Sequence, residues 1–175
     1  MSMATGADQD PAEGGLPYGA RLHQMAEPRR EEVAVVFVAE DGHERLVTWG
    51  EVDDRSTQVA RVLAEEGLAA GDSLAIALKN SPEHLFTCFA GWKVGATVVP
   101  MRWDLPDWEL DRLLGVLKPA VVVGPDQAEW LERSRSRPTD PLPEAIAPHG
   151  WGCAAPDPPG RRRSSCKRTP PSSSR

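Results

Sequence analysis

No stretch of this 175-residue chain approaches the roughly 18 consecutive apolar residues a membrane-spanning helix requires. The first residues, Met1 to Leu16, are acidic and polar, the opposite of a secretory signal. Cysteine is scarce: Cys88, Cys153 and Cys166 are scattered with no CxxC, so neither a disulfide framework nor a zinc site is indicated and a reducing cytoplasm is favoured. The four histidines, His23, His43, His84 and His149, share no metal-ligand spacing. No Walker-type or GxGxxG phosphate loop occurs either. These absences exclude membrane spans, disulfide scaffolds and zinc modules, and they leave the chain without a nucleotide-binding loop of either kind.

What is present is ordinary for a soluble globular domain: 40% hydrophobic and 26% charged residues, in a chain long enough for one core. The charge is uneven. From Gly152 onward there are six basic residues (Arg161, Arg162, Arg163, Lys167, Arg168, Arg175) against Asp157 alone. With the whole chain at −6 and that segment at +5, residues 1–151 carry −11. An acidic body with a basic tail is either an electrostatic arm or two segments of different origin.

Residues 1–16 read as a disordered leader. Pro17 to Ala26 has the pattern of a short helix carrying Leu22 and Met25. Val33 to Ala39 and His43 to Val47 are β-rich runs joined by Glu40-Asp41-Gly42, a hairpin signal because Gly accepts positive φ. Thr48 and Glu51 form a capping box for a helix to about Glu66, with Val52, Val59, Val62 and Leu63 near one face and Gly67 as its stop. Gly71-Asp72 turns the chain into a strand, Ser73 to Leu78. Ser81 caps a helix with Pro82 in its first position, whose face carries Leu85, Phe86, Phe89, Trp92 and Val94 and which ends at Gly95. Thr97 to Met101 is a strand, Leu105-Pro106 to Leu117 a helix closed by Lys118-Pro119, and Ala120 to Val123 a strand. Asp126 to Glu132 starts a last helix behind an Asp126/Glu129 box.

Short apolar strands alternating with helices predict an α/β fold: a parallel sheet covered on both faces, joined by right-handed crossovers. The organisation follows. Residues 1–16 are the leader and 17–133 the α/β unit; 134–152 form a Pro-rich connector and 153–175 a basic Pro/Arg/Ser tail too poor in apolar residues to fold.

Residues 48–123 resemble the start of the adenylate-forming (AMP-binding) superfamily, which comprises acyl- and aryl-CoA synthetases, luciferases and nonribosomal adenylation domains. Five elements in order carry the likeness: Thr48-Trp49, Gly71-Asp72, Asn80-Ser81-Pro82-Glu83, Lys93-Val94-Gly95-Ala96 and Val98-Val99-Pro100. The resemblance covers residues 17–152 and is closest to the acyl-CoA synthetase/ligase type. It implies the first portion of an adenylating large domain, with an incomplete sheet. Each element also has an architectural reading: Gly95-Ala96 as a tight turn, and Asn80 to Glu83 as a cap that lacks the glycines for close phosphate approach. His84, Trp103 and Trp108 read as packing residues, and Arg161 to Arg163 as a basic run without the aromatics or fold of a nucleic-acid site.

The family needs a Ser/Thr/Gly-rich loop ending in Gly-x-Pro-Lys, due just after Gly152, and it is missing. Reading from the third base of each codon, the steps from Ala154 to Gly160 give NGC, NCC, NGA, YCC, NCC and NGG, which allow Ser-Ser-Gly-Ser-Thr-Gly. The codons that follow do not spell Pro-Lys at the family's spacing. A frameshift after Gly152 accounts both for the lost loop and for the change of charge. The resemblance implies ATP, Mg²⁺ and coenzyme A for the intact parent, with the phosphate loop, acyl pocket, ribose-binding Asp and catalytic Lys all beyond Gly152. Accordingly no catalytic, cofactor-binding or metal residue is assigned here, and an inactive, poorly soluble fragment is expected, with Phe89, Trp92 and the strand edges short of partners. The alternatives are a non-catalytic α/β interaction module with a functional basic tail, or half of a split synthetase completed by a C-terminal polypeptide.

Overall fold

The computed structural model describes residues 18–125, 128–143 and 145–147. The expected leader, Asp126 with its capping box, His149, Cys153, Cys166 and the basic tail lie outside these residues. A helix α1 (Tyr18–Ala26) runs into a 3-10 turn (Glu27–Arg29) and a hairpin, β1 (Val33–Val38) and β2 (Glu44–Thr48). The rest alternates: α2 (Trp49–Glu65), β3 (Ser73–Ile76), α3 (Pro82–Val94), β4 (Thr97–Pro100), α4 (Asp107–Leu117), β5 (Val121–Val123) and α5 (Ala128–Ser134).

Local chemistry explains the boundaries. Gly42 turns the hairpin at φ 83°, with the Gly42 N–H donating to the Ala39 carbonyl at 2.9 Å. The Thr48 hydroxyl accepts the Glu51 N–H at 3.1 Å, as a capping box requires. The Glu51 carboxylate, however, binds Arg45 Nη2 at 2.8 Å. Ser81 caps α3 by accepting the His84 N–H at 3.2 Å, and Pro82 opens the helix where a missing N–H costs nothing. Gly95 closes α3 in the left-handed region at φ 83°. Helix α4 starts one residue later than the Leu105-Pro106 signal, because Pro106 itself stands at the N-cap in an extended conformation.

β3 pairs in parallel with β4 on one side and β5 on the other, in the order β4-β3-β5. The hairpin forms a separate two-stranded sheet. The α/β fold with a parallel sheet is as the alternation predicts. Leu63, Leu74, Ile76, Phe86, Val94 and Val123 are the heart of the core, between the sheet and α2 and α3. Val52, Val59, Val62 and Leu63 are all buried on the expected α2 face.

One expectation needs correction. Phe89 and Trp92 are not short of partners: both pack on the core, their rings meeting edge-on at 5.2 Å, with Tyr18 beyond Trp92. The uncovered apolar surface lies elsewhere, on α4, which buries no residue, and on the outer face of the hairpin. The Pro-rich connector is irregular but fastened. Gln58 Nε2 donates to the Arg137 carbonyl at 2.9 Å, Arg61 Nη2 to that of Asp140 at 2.8 Å, and Leu142 and Ile146 pack against the core.

Candidate functional site

In an open parallel sheet, ligands bind at the carboxyl ends of strands where successive crossovers leave in opposite directions. Here β3 leads through α3 to β4, and β4 leads back past β3 through α4 to β5. With right-handed crossovers the two helices take opposite faces, so the crevice lies between the carboxyl ends of β3 and β4. Its walls are the segments 77–81 and 101–106. Backbone bonds hold them in place: the Met101 N–H donates to the Ile76 carbonyl and the Ala77 N–H to that of Val123, both at 2.7 Å.

Several polar groups at this crevice make surface pairs. Lys79 Nζ lies 4.4 Å from the Trp103 ring centroid and 3.9 Å from Glu40 Oε1. Arg102 makes a two-pronged pair with Asp104, at 3.0 and 2.8 Å. Glu83, in the first turn of α3, suits the helix dipole and is held by Arg45 at 3.3 Å. Arg45 thereby links the first turns of α2 and α3 through Glu51 and Glu83. His84 Nδ1 sits 3.2 Å from the Leu78 carbonyl, a packing role. Trp103 is half exposed against Lys79, and Trp108 stands out from α4. Asn80 to Glu83 lies at the carboxyl end of β3 as expected, and its capping geometry is the architectural one.

These residues do not fit ATP and Mg²⁺ as they stand. The cationic side chains face Trp103 and Asp104, the cap of α3 is filled by Ser81, and the described residues hold no cluster of three or more His, Cys, Asp or Glu able to take a metal.

The most polar interior feature is elsewhere and was not legible as a site. Lys93, within the Lys93-Val94-Gly95-Ala96 motif, is buried, and its Nζ donates to Asp53 Oδ1 at 2.6 Å, the Asp53 carbonyl at 2.8 Å and Thr57 Oγ1 at 2.6 Å. His23 Nδ1 meets the other Asp53 oxygen at 2.7 Å. The sequence signal that could have found it is Asp53 and Thr57, one turn apart on the α2 side that also carries Ala60, all buried. The four groups satisfy one another between α1, α2 and α3, and the arrangement is one of fastening.

The Gly71-Asp72 and Gly95-Ala96 motifs meet at the opposite, amino end of the sheet. The Thr97 N–H donates to the Asp72 carbonyl at 2.8 Å, and Asp72 Oδ2 accepts the Ala69 N–H at 3.0 Å.

Comparison with known proteins agrees with this architecture. The model of the AMP-binding enzyme family matches residues 22–157. The candidate acyl–CoA ligase YdaB of Bacillus subtilis (strain 168) is 30% identical over 112 residues, covering 63% of this chain and 21% of YdaB. A crotonobetaine/carnitine–CoA ligase of Citrobacter koseri is 30% identical over 88 residues, covering 48% of this chain and 17% of that protein. Among solved structures, the N-terminal subdomain of Klebsiella oxytoca NpsA in complex with anthranilyl-AMSN superposes with a TM-score of 0.55 at 24% identity, covering 62% of this chain and 27% of that one; it speaks for the fold. This chain thus spans about a fifth of the length of the ligases it matches. The match does not favour the reading as a free-standing interaction module. Among the described residues no helix is long and apolar enough to cross a membrane. The chain belongs to the AMP-binding enzyme family.

Proposed function

We propose that this chain is the opening segment of an AMP-forming acyl-CoA ligase and that it is inactive by itself. The parent reaction joins a carboxylate to the α-phosphate of ATP with release of pyrophosphate, then passes the acyl group to the thiol of coenzyme A with release of AMP. The observation that carries this is the family match over residues 22–157, supported by ligase relatives of which this chain covers about a fifth. Inactivity follows from the sequence after Gly152, where the Ser/Thr/Gly-rich loop ending in Gly-x-Pro-Lys is missing. Among the described residues, Lys79 stacks on Trp103 and Arg102 pairs with Asp104.

We read the segment from Cys153 as the product of a changed frame. The family match stops at residue 157, inside the stretch where the shifted codons allow Ser-Ser-Gly-Ser-Thr-Gly. A reducing, cytoplasmic setting accords with the sparse cysteines and with Cys88 as a buried free thiol.

Carboxylate-dependent ATP–pyrophosphate exchange by the purified chain tests the activity. We expect none above background, and robust exchange would overturn the proposal. Sequencing the gene across codons 145–175 and beyond tests the frame: a shifted frame running through Gly-x-Pro-Lys into a long open frame is expected. An uninterrupted stated frame with nothing family-like downstream would make the tail genuine.

A further inference from the structure

Residues 18–30, α1 and the turn after it, cross the surface of α2 and α3 with little apolar anchorage. Leu22 and Ala26 are the buried residues of this segment, while Tyr18 is largely exposed. Its other fastenings are polar or aromatic. His23 Nδ1 meets Asp53 at 2.7 Å, Arg30 Nη2 meets Asp54 at 2.6 Å, and the Arg30 carbonyl accepts the Gly50 N–H at 3.0 Å. Arg29 lies over the Trp49 ring at 4.8 Å, and Tyr18 leans on Trp92 at 5.9 Å. Beneath α1, the stem of Lys93 passes so close to Gly19 that a Cβ there would stand 2.8 Å from Lys93 Cγ. Only a glycine lets the helix lie across this lysine.

We propose that residues 18–30 form a strap that opens as a unit before the rest of the fold, and that the Lys93–Asp53–His23 cluster is the latch that holds it shut. The reasons are energetic. Elements held by few buried apolar groups open at lower free energy than the core they lie on. A buried ion pair contributes more to where an element docks than to how tightly, because desolvation offsets most of its attraction. Lys93 spends all three N–H donors on α2, and so presents Asp53 in one fixed orientation for His23 to find.

Acid should release the latch first. Burial opposes the charge on Asp53, but Lys93 and His23 outweigh it and hold its carboxyl below the ordinary value. A depressed carboxyl stabilises the closed state above its open-state value and loses that contribution as pH falls through the folded value. Burial pushes Lys93 down while Asp53 and Asp54 push back. The charged groups facing the latch are therefore Asp53 and Asp54 from α2 and His23 from α1, with Arg30 neutralising Asp54.

Hydrogen exchange of the full chain, read by mass spectrometry and corrected for intrinsic rates, tests the proposal. Peptides covering 18–30 should exchange about tenfold or more faster than those covering β3 and α3 at neutral pH. The gap should widen only below the ordinary carboxylate range, as pH falls toward the depressed folded value of Asp53. His23→Ala, a half-exposed position that leaves the core intact, should raise strap exchange several-fold with β3 unchanged. Asp53→Asn leaves the buried Lys93 ammonium without its counter-charge, so it should raise strap exchange, loosen α2 against α3 as well, and remove the acid response. Strap and β3 exchanging at one common rate, or strap exchange unmoved by His23→Ala, would overturn it.

Discussion

Gly71 donates its backbone N–H to the carbonyl of Gly95 at 3.0 Å, which ties together two turns that lie 24 positions apart in the sequence. Both glycines hold left-handed φ values, 82° and 83°. The bond sets the amino end of β3 beside that of β4, and pairing follows from there as Ser73 with Thr97 and Leu74 with Val98. Two motifs that look independent in the sequence are one joint in the fold.

Gly95→Ala should therefore be costly. Its φ of 83° penalises any side chain by about 1–2 kcal/mol. The new Cβ would also press on the Ala70 Cβ at 3.3 Å. Urea unfolding should show a lower midpoint with an unchanged slope; a midpoint equal to that of the unchanged protein would mean the turn adopts another conformation freely.

Most of the backbone plan could be read directly from local chemistry. Thr48, Ser81, Gly42 and Gly95 act within a few residues of themselves, and each appears where its pattern placed it. Long-range polar choices could not be read that way. Asp53 and Lys93 are 40 positions apart, and nothing in a single helix pattern says that a lysine will turn inward to meet an aspartate on the next helix. The carboxyl-edge crevice was half legible. The Asn80 to Glu83 cap could be placed, but the stacking of Lys79 on Trp103 depends on β4 lying beside β3. The exposed face of α4 was missed for a related reason: its apolar residues repeat as in a packed helix, and only the fold reveals that they meet no layer.

Lys118 offers a stabilising change. It ends α4 in the left-handed region at φ 45° and is the one non-glycine residue among those described with positive φ. Lys118→Gly relieves a strain of about 1 kcal/mol, less a few tenths for the added freedom of the unfolded chain. Thermal unfolding should rise by a few degrees at most, and a fall would mean the lysine side chain contributes more than its backbone costs.

Cys88 should be inert in the folded state. It is buried in α3, and burial alone pushes its thiol up to about 11, so almost no thiolate exists at neutral pH. Iodoacetamide at about pH 8 should label Cys88 only as fast as the fold opens, and quickly once denaturant is added. Site-resolved peptide mapping separates it from Cys153 and Cys166. Rapid native labelling of Cys88 would show that α3 opens readily.

The uncovered apolar surface governs how the chain behaves in solution. On the hairpin, Val36 and Leu46 are cross-strand partners exposed by 47% and 56%, and Val38 beside them by 65%. On α4, Trp108 and Val116 are exposed by 67% and 78%. Among the described residues, a two-stranded ribbon with an apolar outer face and a helix that buries no residue invite association between copies. Burying these surfaces against another molecule gains about 25 cal/mol per Å² of apolar area, whereas solvent offers them nothing. Light scattering across a concentration series should show growing mass. Val36→Lys combined with Val116→Lys should reduce that growth while changing stability by only about 0.5 kcal/mol each, since neither side chain supports the core. A monodisperse monomer with a sharp cooperative melt in the unchanged chain would contradict the expectation and would mean that these faces are covered within the molecule itself.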